Sequence, residues 1–126
     1  MKVDDFLLVM KRNRGIYPEF EALPEEQKRY LANLNICTGT AETFLDEEGE
    51  IIGVGGVRYL GIGEAWFITL PGKRRPFMLR TVLENFTRIR DSKNLWRIYA
   101  ESRISNLFLE HLEFNEQKGI YIWTRS

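Results

Sequence analysis

The residues of this chain best suited to chemistry lie between Glu64 and Arg90, in the run EAWFITLPGKRRPFMLRTVLENFTRIR. Ala65 to Leu70 is a strand-like run, rich in aromatic and β-branched residues. Pro71-Gly72-Lys73-Arg74-Arg75 then forms a basic turn, and the residues beyond it take a helical period. Leu79, Val82, Leu83, Phe86 and Ile89 recur at spacings of three and four and share one helix face. A strand feeding a basic turn at a helix start is suited to an anion, because free backbone N–H groups and the helix dipole point at the turn. The same residues also describe an ordinary strand–helix unit with a solvated, arginine-rich turn.

Other reactive groups are scarce. Cys37 is the only cysteine and His111 the only histidine, which argues against a zinc site and excludes an internal disulfide. With no histidine near it in sequence, Cys37 reads as a packed thiol in or near a strand. A serine triad would have to use His111, which reads as a surface residue of a short helix.

These groups must be carried by one domain. The 126 residues, 44% hydrophobic and 13% aromatic, suffice for a real core over residues 1–126. Basic and acidic residues are 18 each, so no net field draws the chain to nucleic acid or to a membrane. Neither a signal peptide nor an apolar run of transmembrane length is visible, and the single cysteine suits a reducing, cytoplasmic compartment.

Elements follow from periodicity and punctuation. Asp4 or Asp5 caps a first helix carrying Phe6, Leu7, Val9 and Met10, with a short strand through the same run as the alternative. Gly15 breaks it and Tyr17-Pro18 marks an extended connection. Pro24 opens a second helix with a stripe of Gln27, Tyr30, Leu31 and Leu34, ending near Asn33 and Asn35. Thr38 to Leu45 and Glu50 to Leu60 form a hairpin across Asp46–Gly49. Gly53, Gly55 and Gly56 mark a bulge or a close backbone approach in its second strand. The Glu64–Leu70 strand completes an antiparallel meander, and the central helix follows. Asp91 to Asn94 is a turn, and Leu95 to Ala100 is a strand parallel to Glu64–Leu70. Ser102 or Ser105 caps a short helix containing Leu107, Phe108, Leu109 and Leu112, and Ile120 to Thr124 is the last strand. Trp66, Ile68, Val82, Phe86, Ile98 and Phe108 are the expected core.

This order resembles the GCN5-related N-acetyltransferase (GNAT) fold, an α/β (α+β) domain with a mixed, mostly antiparallel sheet and helices on both faces. The first strand is absent, or is formed by residues 1–10. EIIGVGGVRYL resembles that family's third strand, EAWFITL its fourth and LWRIYAES its fifth. SRISNLFLEHLEF resembles the helix that normally ends in Gly-Phe, with Glu113 in the glycine's place before Phe114. Within the superfamily the pattern is similar to small acetyltransferase-like proteins of tailed phages. The features in common are Gly55-Gly56, Trp66-Phe67-Ile68-Thr69 and the basic turn.

The resemblance implies acetyl-CoA as cofactor, contacted at Leu70, Gly72, Lys73, Arg74 and Arg75, and Glu64 as the general base that deprotonates an amine. It also exposes departures. The turn keeps one glycine, Gly72, where the family pattern has more, and Pro76 removes a backbone donor at the helix start. Leu109 stands where the family's tyrosine acid would be, with only Ser102 and Ser105 nearby to relay a proton. The expectation is therefore a degenerate acetyltransferase-like domain that binds acetyl-CoA weakly or not at all. It would act as a phage-encoded binding or assembly factor in the host cytoplasm or the virion. The alternative is an active N-acetyltransferase. If the first strand is missing, Thr38–Leu45 becomes a sheet edge that another protein chain or a second copy would cover.

Overall fold

A computed structural model describes residues 1–59, 63–70, 76–92, 95, 97–100, 110, 113–117 and 120–125. Helix α1 (Val3–Arg12) is followed by the short α2 (Pro18–Glu21) and by α3 (Glu25–Cys37). Strands β1 (Gly39–Leu45), β2 (Ile51–Tyr59) and β3 (Gly63–Thr69) lead into α4 (Pro76–Ser92). Strands β4 (Arg97–Ala100), β5 (Asn115–Gln117) and β6 (Ile120–Thr124) complete one sheet of order β1-β2-β3-β4-β6-β5. β3 and β4 are parallel, as a connecting helix requires, and the other neighbours are antiparallel.

The meander forms as its sequence dictates. Asp46 closes the hairpin, its Oδ1 accepting from the N–H groups of Glu48 at 2.9 Å and Glu50 at 2.8 Å. Gly49 takes a φ of 82° there, a conformation that favours glycine. The strand glycines mark close approach: a Cβ at Gly56 would lie 1.8 Å from the Thr40 carbonyl oxygen. The register shift between β1 and β2 lies instead at Phe44/Leu45.

Each face of the sheet has its own core. On one, Phe6, Val9 and Met10 of α1 and Ala32 of α3 pack with Val54 around partly buried Trp66 and Ile68. On the other, Val82, Phe86 and Ile89 of α4 are buried. Phe86 sits with Ile98, Phe114 and Trp123, and Val82 with Phe44 and Ile52. Of the expected core, Val82, Phe86 and Ile98 are buried and Trp66 and Ile68 are half-buried, while Phe108 lies outside the described residues.

Several local expectations need correction. The expected first helix forms over residues 3–12, but Asp4 and Asp5 lie inside its first turn and Lys2 is the cap. Tyr17 is the cap of α2 and not part of an extended connection, because Pro18 starts a helical turn there. α3 runs past Asn33 and Asn35 to Cys37, which is exposed and helical instead of packed in a strand. The helix is rotated so that Ala32 and Asn35 face inward, leaving Tyr30 at 62% and Leu34 at 36% exposure. Similarly Leu83 is 41% exposed, off the buried stripe of α4. Asp91 and Ser92 belong to α4, not to a turn, and β5 has no counterpart in the sequence reading.

Candidate functional site

Glu64 sits at the start of β3, where the ladder sets it opposite Arg58 of β2. Both side chains rise on the face covered by α1 and α3. Arg58 Nη2 donates to Glu64 Oε1 at 3.0 Å, and Arg58 Nη1 donates to Asn35 Oδ1 at 2.6 Å. The guanidinium also lies over Trp66, 5.6 Å from the ring centroid. Arg58 is thus fixed from three sides: by the buried Asn35 of α3, by the carboxylate across the strand, and by the indole beneath it. Its side chain is 25% exposed, and that of Glu64 is 48% exposed.

Two further residues complete this face. Tyr99 of β4 is the register partner of Glu64 across the parallel pair, which sets the two side by side on one face. Trp66 packs edge-on against Phe6, with ring centroids 5.9 Å apart, and its Nε1 is buried without a hydrogen-bond partner. The sequence reading missed Arg58, Asn35 and Tyr99. Alternation along the two strands of the meander could have placed Arg58 and Glu64 on a common face. Nothing local in α3 marks Asn35 as their partner.

The basic turn, with Gly72, Lys73, Arg74 and Arg75, lies outside the described residues, as do Ser102, Ser105, Phe108, Leu109 and His111. The residues on either side of the turn are described. Leu70 is half-buried, and its N–H donates to the Ile52 carbonyl at 2.8 Å, inside the ladder. Pro76, the first residue of α4, has no N–H. Leu70 and Pro76, the residues that directly border the turn, therefore give no backbone donor to an anion held there.

A second feature lies at the sheet edge. An open groove of ≈ 560 Å³ runs beside β1, with Thr43 and Leu45 along it, Lys2 and Asp5 on one side and Thr81 and Asn85 on the other. Thr43 Oγ1 donates to Asp5 Oδ2 at 2.8 Å, and Arg88 of α4 pairs with Glu42. Among the described residues no group of His, Cys, Asp and Glu could hold a metal ion. No helix among them is long and apolar enough to cross a membrane.

Solved structures share this architecture. An acetyltransferase of the GNAT family from Bacillus anthracis superposes with a TM-score of 0.72 at 14% identity, covering 98% of this chain and 91% of its own. The fold is that of the GNAT acetyltransferases. The ribosomal-protein-S5-alanine acetyltransferase from Vibrio fischeri gives a TM-score of 0.66 at 16% identity, over 98% of this chain and 90% of that one. The N-acetyltransferase PseH from Campylobacter jejuni gives 0.63 at 15%, over 100% and 93%. At these identities the likeness is one of fold. No family model matches the chain, and no curated protein matches it in sequence.

Within this acetyltransferase fold, β1 is the edge of the sheet, as the sequence reading expects when the first strand is missing. Glu113, in the glycine's place before Phe114, has a φ of 66°, the left-handed conformation that glycine adopts without strain.

Proposed function

We propose that this chain is a GNAT-fold binding module with little or no acetyl transfer. The observation that carries the reading is the Arg58–Glu64 pair. A general base must be free to take a proton, directly or through water, within hydrogen-bond reach of the amine. Glu64 instead accepts from a guanidinium that Asn35 and Trp66 hold in place, so the carboxylate oxygen that would meet an amine or its water is already engaged by Arg58. The flanks of the basic turn add support. With the Leu70 N–H spent in the ladder and Pro76 without one, the two residues that border the turn add no donor to a backbone cradle for the pyrophosphate of acetyl-CoA.

The binding surface in this reading is the open edge at β1, available to another protein chain or to a second copy. An origin among tailed phages is part of the proposal and rests on the Gly55-Gly56, Trp66–Thr69 and Lys73–Arg75 pattern alone. The deciding experiment is calorimetric titration of acetyl-CoA, followed by a turnover assay against a panel of polyamines, amino acids and peptide N-termini. The expected result is weak or undetectable binding and no acetylated product. Turnover that falls about a hundredfold in Glu64→Gln would instead establish the active N-acetyltransferase, with Glu64 as its base.

A further inference from the structure

The parity of the β1–β2 ladder fixes what the sheet edge offers. The Tyr59 N–H donates to the Thr38 carbonyl at 2.7 Å, so Thr38, Thr40, Glu42 and Phe44 turn their backbone groups toward β2. Gly39, Ala41, Thr43 and Leu45 therefore turn theirs outward. The Ala41 carbonyl accepts from the Met1 ammonium at 3.0 Å, which covers that point of the edge. Thr43 and Leu45 open into the groove, whose two sides come from opposite layers of the domain: Lys2 and Asp5 from the α1 side, Thr81 and Asn85 from α4. Leu45 is 48% exposed, a large apolar side chain at the end of an uncovered strand.

We infer that this groove takes one extended segment of a separate protein chain, added to the sheet beside β1 and paired with the backbone of Thr43 and Leu45. The inference rests on the binding-module reading and names the partner's form. An outward row of N–H and C=O groups is matched by another strand, at a spacing of about 4.8 Å. The segment must be narrow, because helical residues stand on both sides of its path. A second copy pairing through its own β1 would bring its own Lys2, Asp5, Thr81 and Asn85 against these, one strand spacing away. The segment should alternate, with an apolar residue on the face of Leu45 and small or polar residues on the face of Thr81 and Asn85. A strong charge preference is not expected, since Lys2 and Asp5 bring opposite charges to the same side of the groove and Glu42 is paired with Arg88.

The test uses the whole chain and a displayed library of random ten-residue peptides as the probe. Selected peptides should show period-two apolar patterning and should slow amide exchange at Thr43 and Leu45. Thr43→Pro removes an outward N–H and no β1–β2 bond, so it should keep the fold, checked by circular dichroism, and weaken these peptides at least tenfold. Exchange at Thr43 and Leu45 in the parent protein reads the same site without any substitution. A library that yields no binder, or binders that leave those two amides unprotected, would overturn the inference. So would a dimer of the parent that dissociates in Thr43→Pro, which would give the edge to a second copy and leave the binding reading standing. Acetyl transfer, in contrast, would remove the binding-module reading whatever the peptides do.

Discussion

Arg58 and Glu64 face each other across the β2–β3 ladder with 3.0 Å between Nη2 and Oε1, and the other arm of the same guanidinium reaches Asn35 on α3. The two contacts differ in worth. The Glu64 end is half-exposed, where an ion pair contributes about 0–1 kcal/mol. The Asn35 end is buried, and truncating Arg58 leaves that amide oxygen without its donor. Loss of a partner to a buried polar group costs about 1–3 kcal/mol. Arg58→Ala should therefore destabilise the protein by roughly 1–3 kcal/mol and Glu64→Ala by less than about 1 kcal/mol. Urea unfolding of the two variants checks the order. Equal losses would make Asn35 a bystander.

Phe86 joins α4 to the C-terminal strands, with its ring 5.5 Å from that of Phe114 and 6.4 Å from that of Trp123. Removing it opens a cavity between elements from both halves of the chain. Phe86→Ala should cost about 3–5 kcal/mol in chemical denaturation. A cost under about 1 kcal/mol would be incompatible with this docking of α4.

What could be read in advance divides along physical lines. The meander, the amphipathic α4 and the parallel β4 follow from local pattern, since turn residues and a 3.6-residue period are encoded within a few positions. The rotation of α3 is not so encoded. Its most apolar stripe, containing Tyr30 and Leu34, turns outward, while Ala32 and Asn35 face the sheet. Ala32 packs in the core shared with α1, and Asn35 meets Arg58, a residue 23 positions away. The site was legible in part for the same reason. Glu64 could be singled out by its place before a strand, but the arginine that holds it and the tyrosine beside it come from neighbouring strands. Their alignment is a property of register.

Glu113 illustrates a residue set against its own backbone. At a φ of 66° its Cβ crowds the following carbonyl, and the left-handed region costs a non-glycine residue roughly 1–2 kcal/mol. Glu113→Gly should raise stability by about 0.5–1 kcal/mol, because the relief exceeds the added flexibility of the unfolded chain. Glu113→Ala keeps the Cβ and should give no such gain. Thermal melts of both variants separate backbone strain from any role of the carboxylate.

Acid stability should carry the mark of Asp91. Its carboxylate accepts a hydrogen bond from Arg90 and lies beside Arg125, and these hold its pKa below the ordinary aspartate value in spite of some desolvation. Arg125 in turn donates to the carbonyls of Leu95 and Arg90 at the end of α4. A group with a depressed folded pKa stabilises the protein above its unfolded pKa, near 3.8, and that contribution fades as the pH falls through the folded value. Asp91→Asn should therefore lower stability at neutral pH, with the difference from the parent shrinking as the pH falls below 3.8. Denaturation midpoints measured between neutral and strongly acid pH give the comparison. A constant difference would remove Asp91 from the linkage.

The resemblance to the acetyltransferases implies that the segment between β3 and α4 would decide the binding of a nucleotide cofactor. A backbone cradle keeps its affinity in salt, because its donors are fixed and partly shielded. Here the N–H of Leu70 is committed to Ile52 and Pro76 has none, so with fewer backbone donors beside it a bound pyrophosphate should lean on the side chains of Lys73, Arg74 and Arg75. Exposed charges of that kind are screened over about 8 Å at physiological ionic strength. Acetyl-CoA should bind with a dissociation constant of roughly 0.1 mM or weaker, no more than ~5.5 kcal/mol. That residual affinity should fall steeply as salt is added and disappear in the triple variant Lys73→Ala/Arg74→Ala/Arg75→Ala. Isothermal titration at two salt concentrations is sufficient. A low-micromolar complex indifferent to salt would mean that Gly72 and its neighbours supply the donors themselves, and the active-enzyme reading would then replace the binding module.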